Sequence, residues 1–443
     1  MKKQGRFLTG STMGHVVRMT LTGAVGITFI FLVDLANLFW VSKVGDPKLV
    51  AAMGYAFAIQ FFSISTGIGL MIASTALVSR QIGMGDHERA RHEATSAMII
   101  TVLCQTVVAV VVIVFRYPLL DMVGATAETL EHAARYLLLT IPSLTVMAVG
   151  LVGSAILRAE GDGMRSMFVT LSAGVVAMVI DPVLILWLGM GLDGASLVIN
   201  ISRLVLAIVA LRFAIGTHDM LARPALWAIR RSAKPFFAIA IPAILTQIST
   251  PFGNYLLTGA IANFGDSAVA AWAVVNRLTV VAFGGIFALS GAVGGIFGQN
   301  FGAGNIERLR CTYRDALIFC AGYTVLAWAV LMLTAPHVVR GFGLSGQGAD
   351  VYNAFAFVGA GAFILVGALF VSNAAFNNLG KPTRSTAANW LRDGVLTLPA
   401  ALLGAAWFGA PGVVYAQSVV GALVGVLAAI WCWRFIVGMG VAR

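Results

Sequence analysis

The sequence predicts an all-α polytopic membrane protein, with twelve transmembrane helices in two parallel six-helix lobes related by a pseudo-twofold axis along the membrane normal. Three observations carry this. Of the 443 residues, 59% are hydrophobic and only 11% charged, where soluble domains carry about 25% charged residues. The apolar residues fall into runs of roughly 20 or more, long enough to cross a bilayer. Motifs of the first half also return in the second half at a nearly constant spacing.

The first run, from about Gly23 to Trp40, reads GAVGITFIFLVDLANLFW. Basic residues precede it in MKKQGRFLTGSTMGHVVRM. The run is too long for a signal peptide and no small-residue cleavage site is clear, so it reads as a retained first span. Eleven more runs follow, centred near Ser65, Thr106, Val146, Val176, Leu204, Thr246, Gly284, Leu326, Leu365, Leu398 and Leu423, each bounded by charge, Gly or Pro. The runs at 49–78 and 267–298 exceed the minimum length and are expected to tilt or protrude. A basic segment from Arg212 to Lys234 joins the halves. Its stretch PALWAIRRSAKP suits either an amphipathic helix on the inner leaflet or a plain linker. The expected organisation is an N-terminal lobe over 1–213, a cytoplasmic linker over 214–234 and a C-terminal lobe over 235–443.

Orientation follows from Lys and Arg. One set of loops holds Arg80, Arg89 and Arg91, then Arg158 and Arg165, Arg230, Arg231 and Lys234, Arg308, Arg310 and Arg314, and Lys381 and Arg384; the opposite set holds only Lys43, Lys48, Arg116, Arg135 and Arg340. The bias puts both termini in the cytoplasm of a multi-pass protein of the inner (plasma) membrane. It also accounts for the net charge of +11 without nucleic acid. The four cysteines lack metal-ligand spacing, so neither a disulfide framework nor a metal centre is expected.

The repeat is explicit. RQIGMGDHERAR after the second span matches QNFGAGNIERLR after the eighth, pairing Gly83 with Gly302, Glu88 with Glu307 and Arg89 with Arg308 at an offset of 219. LRAEGDGMRS after the fourth span matches NNLGKPTRS after the tenth at the same offset, and VGD at 44–46 matches FGD at 264–266 at 220. Six spans per half is an even number, so the repeats enter from the same side and are parallel. Two such bundles imply a cleft and alternating access.

The halves differ in charge. Asp34 sits in the middle of the first span, and Asp181, followed by Pro182, in the fifth. Shifted by 220, Asp34 falls on Asn254, and the counterpart of the Asp-Pro pair lies near Pro399. A charge at the centre of a membrane helix costs about 2.5–3.5 kcal/mol, so it is functional by default. Two carboxylates in one low-dielectric pocket do not ionise independently, which suits coupling to a proton. Na⁺ would instead need several oxygens, with Asp34, Asn37, Asp181 and Asn200 as candidates. Pro182 is expected to disfavour helix at Asp181 and free carbonyls beside it. Tyr136 opens the fourth span, where an interface-belt tyrosine is the commoner use. Gln60, Gln247 and Asn276 either line a cavity or bond between helices. Asp393 beside Arg392 reads as a local ion pair.

The G-x-G-[DN]-x-E-R-x-R loops at 83–91 and 302–310, LRAEGD at 157–162, the Asp-Pro pair at 181–182, LDGAS at 192–196 and APGVV at 410–414 together resemble the multidrug and toxic compound extrusion (MATE) family over essentially the whole chain. The resemblance implies a V-shaped pair of lobes and efflux of organic, often cationic, compounds driven by H⁺ or Na⁺. It is nearest to the DinF-type branch, in which carboxylates matching Asp34 and Asp181, joined by a tyrosine matching Tyr136, form the cation site. That branch has an Asn where this chain has Ala177, so the hydrogen-bond network is altered. The expectation is therefore a secondary-active antiporter exporting small organic compounds in exchange for H⁺, with Na⁺ second. Asp34, Asp181 and Tyr136 are the coupling residues, and Asn37, Gln60, Asn200, Gln247, Asn254 and Asn276 are candidates for the substrate cavity. No cofactor is expected beyond the coupling ion, and a monomer is sufficient. The alternative is a lipid-linked precursor flippase of the same superfamily, which needs a basic cavity; the buried cations expected here number at most three, Arg18, Arg203 and Arg277. No HExxH motif or Ser/His pair supports an enzyme.

Overall fold

The computed structural model describes residues 5–441. Apolar runs this long, with their backbone groups paired internally, form helices, and all twelve expected span centres fall inside helices. These are α1 (Thr12–Ser42), α2 (Pro47–Gly83), α3 (His87–Val114), α4 (Glu128–Ala159), α5 (Gly163–Trp187), α6 (Gly191–Gly216), α7 (Leu226–Ala262), α8 (Asp266–Gly302), α9 (Ile306–Gly341), α10 (Gln347–Asn378), α11 (382–408) and α12 (Ala410–Val441). Among the described residues, eleven are long and apolar enough to cross a membrane as single helices. The exception, α11, is divided by a π-helical stretch over Leu391–Leu396 that carries Arg392 and Asp393.

The repeated loops prove to be helix corners. Gly85 and Gly304 close α2 and α8 with φ of 74° and 70°, the left-handed backbone that glycine adopts without penalty at a helix end. The next residue then caps the following helix: Asp86 Oδ1 accepts from the Arg89 amide at 3.0 Å, and Asn305 Oδ1 from the Arg308 amide at 3.1 Å. Their recurrence thus reflects repeated helix stops and starts.

Asp162 does the same for α5, accepting from the Arg165 amide at 3.1 Å. It also pairs with the Arg165 guanidinium and lies 3.0 Å from His218 Nε2. Burial raises the Asp162 carboxyl, but the bonds from Arg165 and His218 outweigh it and hold the group below the ordinary carboxylate range. A carboxyl depressed in the fold contributes stability that is complete above its unfolded pKa, near 3.8, and is lost as pH falls through the folded value. Asp162→Ala should therefore cost about 1–2 kcal/mol at neutral pH, and its deficit in melting temperature should narrow as pH is lowered below 4. A deficit constant across that range would show that the charge contributes nothing.

The chain divides into two compact units, and the division does not follow the expected 1–213 and 235–443 lobes. Among the described residues, one unit is Val25–Ile244; the other is 245–441 together with 5–24. The borders lie inside α1 and α7, 220 residues apart. The first part of α1 belongs to the second unit, where Val16 and Met19 join a core with Ile286, Leu289 and Phe297. There Phe7 N donates to Gln299 Oε1 at 2.9 Å, and the Arg308 guanidinium donates to the carbonyls of Phe7 (2.9 Å) and Gly10 (3.0 Å). The first part of α7 belongs to the first unit, where Phe236, Ile239 and Ala240 pack with Leu70, Ala73 and Ile100. Arg91 holds the chain before it through the Leu221 carbonyl at 2.9 Å. The expected linker at 214–234 is correspondingly shorter: residues 217–225 connect the helices, and Leu226 to Lys234 is already α7.

Candidate functional site

The site lies in the first unit, where α1, α2, α4, α5 and α6 each contribute polar groups. Asp181 is fully buried near the end of the regular part of α5. Its Oδ1 accepts from Asn37 Nδ2 of α1 at 2.6 Å, while its Oδ2 is buried with no hydrogen-bond partner among the described residues. The amide that serves Asp181 thus comes from α1, and Ala177, one turn earlier on α5, is buried. Pro182 does not unwind Asp181 as expected. Both residues remain helical, and the irregularity follows as a π-helical stretch over Val183–Trp187.

Asp34 lies on α1 almost one turn before Asn37. Its side chain is exposed, and it is within electrostatic reach of Arg203 and Asp181. The pair expected to be buried together is therefore one sealed carboxylate and one that opens to the surface of the unit. Tyr136 of α4 is 3% exposed and within electrostatic reach of Arg203, Asp34 and Asp181. It is a core residue, which removes the interface-belt reading.

Next to Tyr136, α4 breaks. Ile141–Ser143 is a 3-10 turn containing Pro142, which has no N–H. The Leu144 amide bonds to Ile141 and Pro142 carbonyls instead of Thr140, so the Thr140 carbonyl is released. Ser143 Oγ donates to it at 2.8 Å, and Arg203 NH1 of α6 donates both to it and to Ser143 Oγ, each at 2.8 Å. Asn200 Nδ2, one turn earlier on α6, donates to the Leu139 carbonyl at 2.9 Å. Gln60 of α2 donates to Thr140 Oγ1 at 2.6 Å. Asp34, Asn37, Gln60, Tyr136, Asp181 and Asn200 are thereby brought together.

The remaining candidates, Gln247, Asn254 and Asn276, belong to the second unit. They are half-buried and make no side-chain hydrogen bonds among the described residues. The expected Arg392–Asp393 pair is present there and is buried. Arg392 Nε donates to Asp393 Oδ1 at 2.7 Å, and Ser249 Oγ donates to Oδ2 at 3.1 Å. Of the three cations expected inside, Arg18 and Arg277 are exposed; Arg203 and Arg392 are the buried ones, at 7% and 8% exposure. Arg203 is the site residue that sequence reasoning missed. A lone arginine in SRLVLAIVAL was its only signal.

The MatE family model matches residues 24–183 and 242–403, one copy in each half of the chain. The chain belongs to the MatE family. This MatE protein is 26% identical over 426 residues to the FAD transporter of Shewanella oneidensis, covering 95% of this chain and 94% of that one. It is 22% identical to the multidrug export protein MepA of Staphylococcus aureus, covering 90% and 89%. Among solved structures, a mutant of the Vibrio cholerae MATE transporter VcmN superposes with a TM-score of 0.89 at 25% identity, over 96% of each chain. A MATE structure in the straight conformation gives 0.92 at 22% identity, over 99% of this chain and all of that one. This MatE protein is a multi-pass membrane transporter, not an enzyme.

Proposed function

We propose that the protein is a secondary-active antiporter that exports small organic compounds in exchange for H⁺, and that Asp34 and Asp181 carry the proton. The observation that supports this most directly is the pairing of unlike carboxylates. Asp181 is sealed, held by one amide and left with one free oxygen, while Asp34 beside it is reachable from outside the unit. A proton entering at Asp34 changes the charge felt at Asp181 without any new ligand having to fit. Moving one charge through 100 mV contributes about 2.3 kcal/mol, enough to bias two states a few kcal/mol apart. Tyr136 lines the same site. The Lys and Arg bias supports cytoplasmic termini in the plasma membrane, with a monomer as the working unit.

The exported compound follows two relatives of different kinds. The relation to MepA, a multidrug export protein, points to drugs, whereas the relation to the FAD transporter points to FAD, a large anionic nucleotide. Both are tested in proteoliposomes under an imposed pH gradient, with ethidium in one arm and FAD in the other. Export of either that requires the gradient and releases protons supports the antiporter. Transport unaffected by collapsing the gradient would refute it. A lipid-linked flippase would move neither compound.

A further inference from the structure

We propose that Arg203 is the residue that makes this site specific for a proton and closes it to Na⁺; this rests on the antiport reading above. An alkali cation in a membrane protein is held by several oxygens, commonly a carboxylate together with the carbonyls released where a helix is broken. This unit has such a break at Ile141–Ser143, with Asp34 and Asp181 nearby. Two carbonyls beside it are already occupied by the chain's own donors: the Thr140 carbonyl by Arg203 NH1 and Ser143 Oγ, each at 2.8 Å, and the Leu139 carbonyl by Asn200 Nδ2 at 2.9 Å. These two oxygens are therefore capped before an entering Na⁺ could use them.

Arg203 also supplies charge. It is 7% exposed, tethered through Thr140 and Ser143, and within electrostatic reach of Asp34 and Tyr136. A guanidinium stays protonated in a protein, so it acts as a fixed cation beside Asp34, which is itself within electrostatic reach of Asp181. With both acids ionised, the cluster holds two negative charges and one positive, and one monovalent charge completes the balance. A proton fits on the unpartnered Oδ2 of Asp181 or on Asp34 and needs no coordination shell. A second full cation beside the guanidinium meets repulsion and finds the nearby carbonyls taken.

The test uses the purified full-length protein and needs no transported compound. Melting temperatures are compared in NaCl and KCl at equal ionic strength. The natural sequence is expected to melt alike in both. Arg203→Gln, which removes the fixed charge and part of the carbonyl cap, is expected to gain a Na⁺-specific rise of about 3–5 °C, lost again in Arg203→Gln/Asp34→Asn. A folded Arg203→Gln that does not distinguish the salts overturns the proposal, as does a natural protein that already responds to Na⁺. If Arg203→Gln does not fold, protons are counted on the natural sequence by titration between about pH 5 and 9, with Asp34→Asn/Asp181→Asn as the blank. One proton per chain is expected. Two would overturn the role of Arg203 and leave proton coupling intact, whereas none would remove the proton reading itself.

Discussion

Asp34→Asn is expected to abolish gradient-driven export, down to the level of cells without the transporter, while the protein reaches the membrane in normal amounts. The two parts of this result have separate causes. Asp34 is accessible and makes no hydrogen bond among the described residues, so an isosteric amide leaves packing untouched. Yet the amide neither binds nor releases a proton, and Arg203 loses the carboxylate within its electrostatic reach. Asp181→Asn is expected to be less clean. Its amide still accepts from Asn37 at Oδ1 but places an extra N–H where Oδ2 is buried. Export assays in an efflux-deficient host, with membrane levels measured by blot, check both variants. Full pH-driven export by Asp34→Asn would sink the coupling assignment.

The second large effect concerns stability. Arg392→Leu is expected to destabilise the protein by about 3–5 kcal/mol, because Asp393 is then left buried without its counter-charge. The hydroxyls of Ser249 and Thr250, at 3.1 and 3.4 Å, remain but carry no charge. The melting temperature should fall by on the order of 10 °C. The double variant Arg392→Leu/Asp393→Leu should recover most of that loss, since a buried ion pair replaced whole by apolar groups is often neutral. A double variant as unstable as the single one would show that the pair does more than neutralise itself. The pair lies within the π-helical stretch that divides the eleventh span.

The legibility of the fold and the site follows from which forces act locally. Span positions were readable because each is a property of one contiguous apolar run. Helix corners were readable because Gly85 with Asp86 and Gly304 with Asn305 encode a stop and a start within a few residues. Asp34 and Asp181 stood out because a carboxylate in an apolar run has few innocent explanations. The unit borders were not readable: nothing around Ala24 or Ile244 marks a change of partner, which is decided by tertiary packing. Arg203 was visible as a cation but not as part of the site. Its role depends on the Thr140 carbonyl released by a 3-10 turn on another helix, and no single-segment pattern contains that. Gln247, Asn254 and Asn276 were chosen for polarity in a span, which does not report which unit a side chain serves.

The exchange of half-helices has a consequence for biosynthesis. Val16 and Met19 leave the ribosome long before Ile286, Leu289 and Phe297 exist to receive them, so α1 must wait half-docked while most of the chain is inserted. Nor can the duplicated halves be separated at the loop over 217–225. A fragment ending there lacks Phe236, Ile239 and Ala240 and leaves the apolar seat on α2 and α3 open. Severed halves are therefore expected to be quality-control substrates when made alone and to regain stability only when co-expressed.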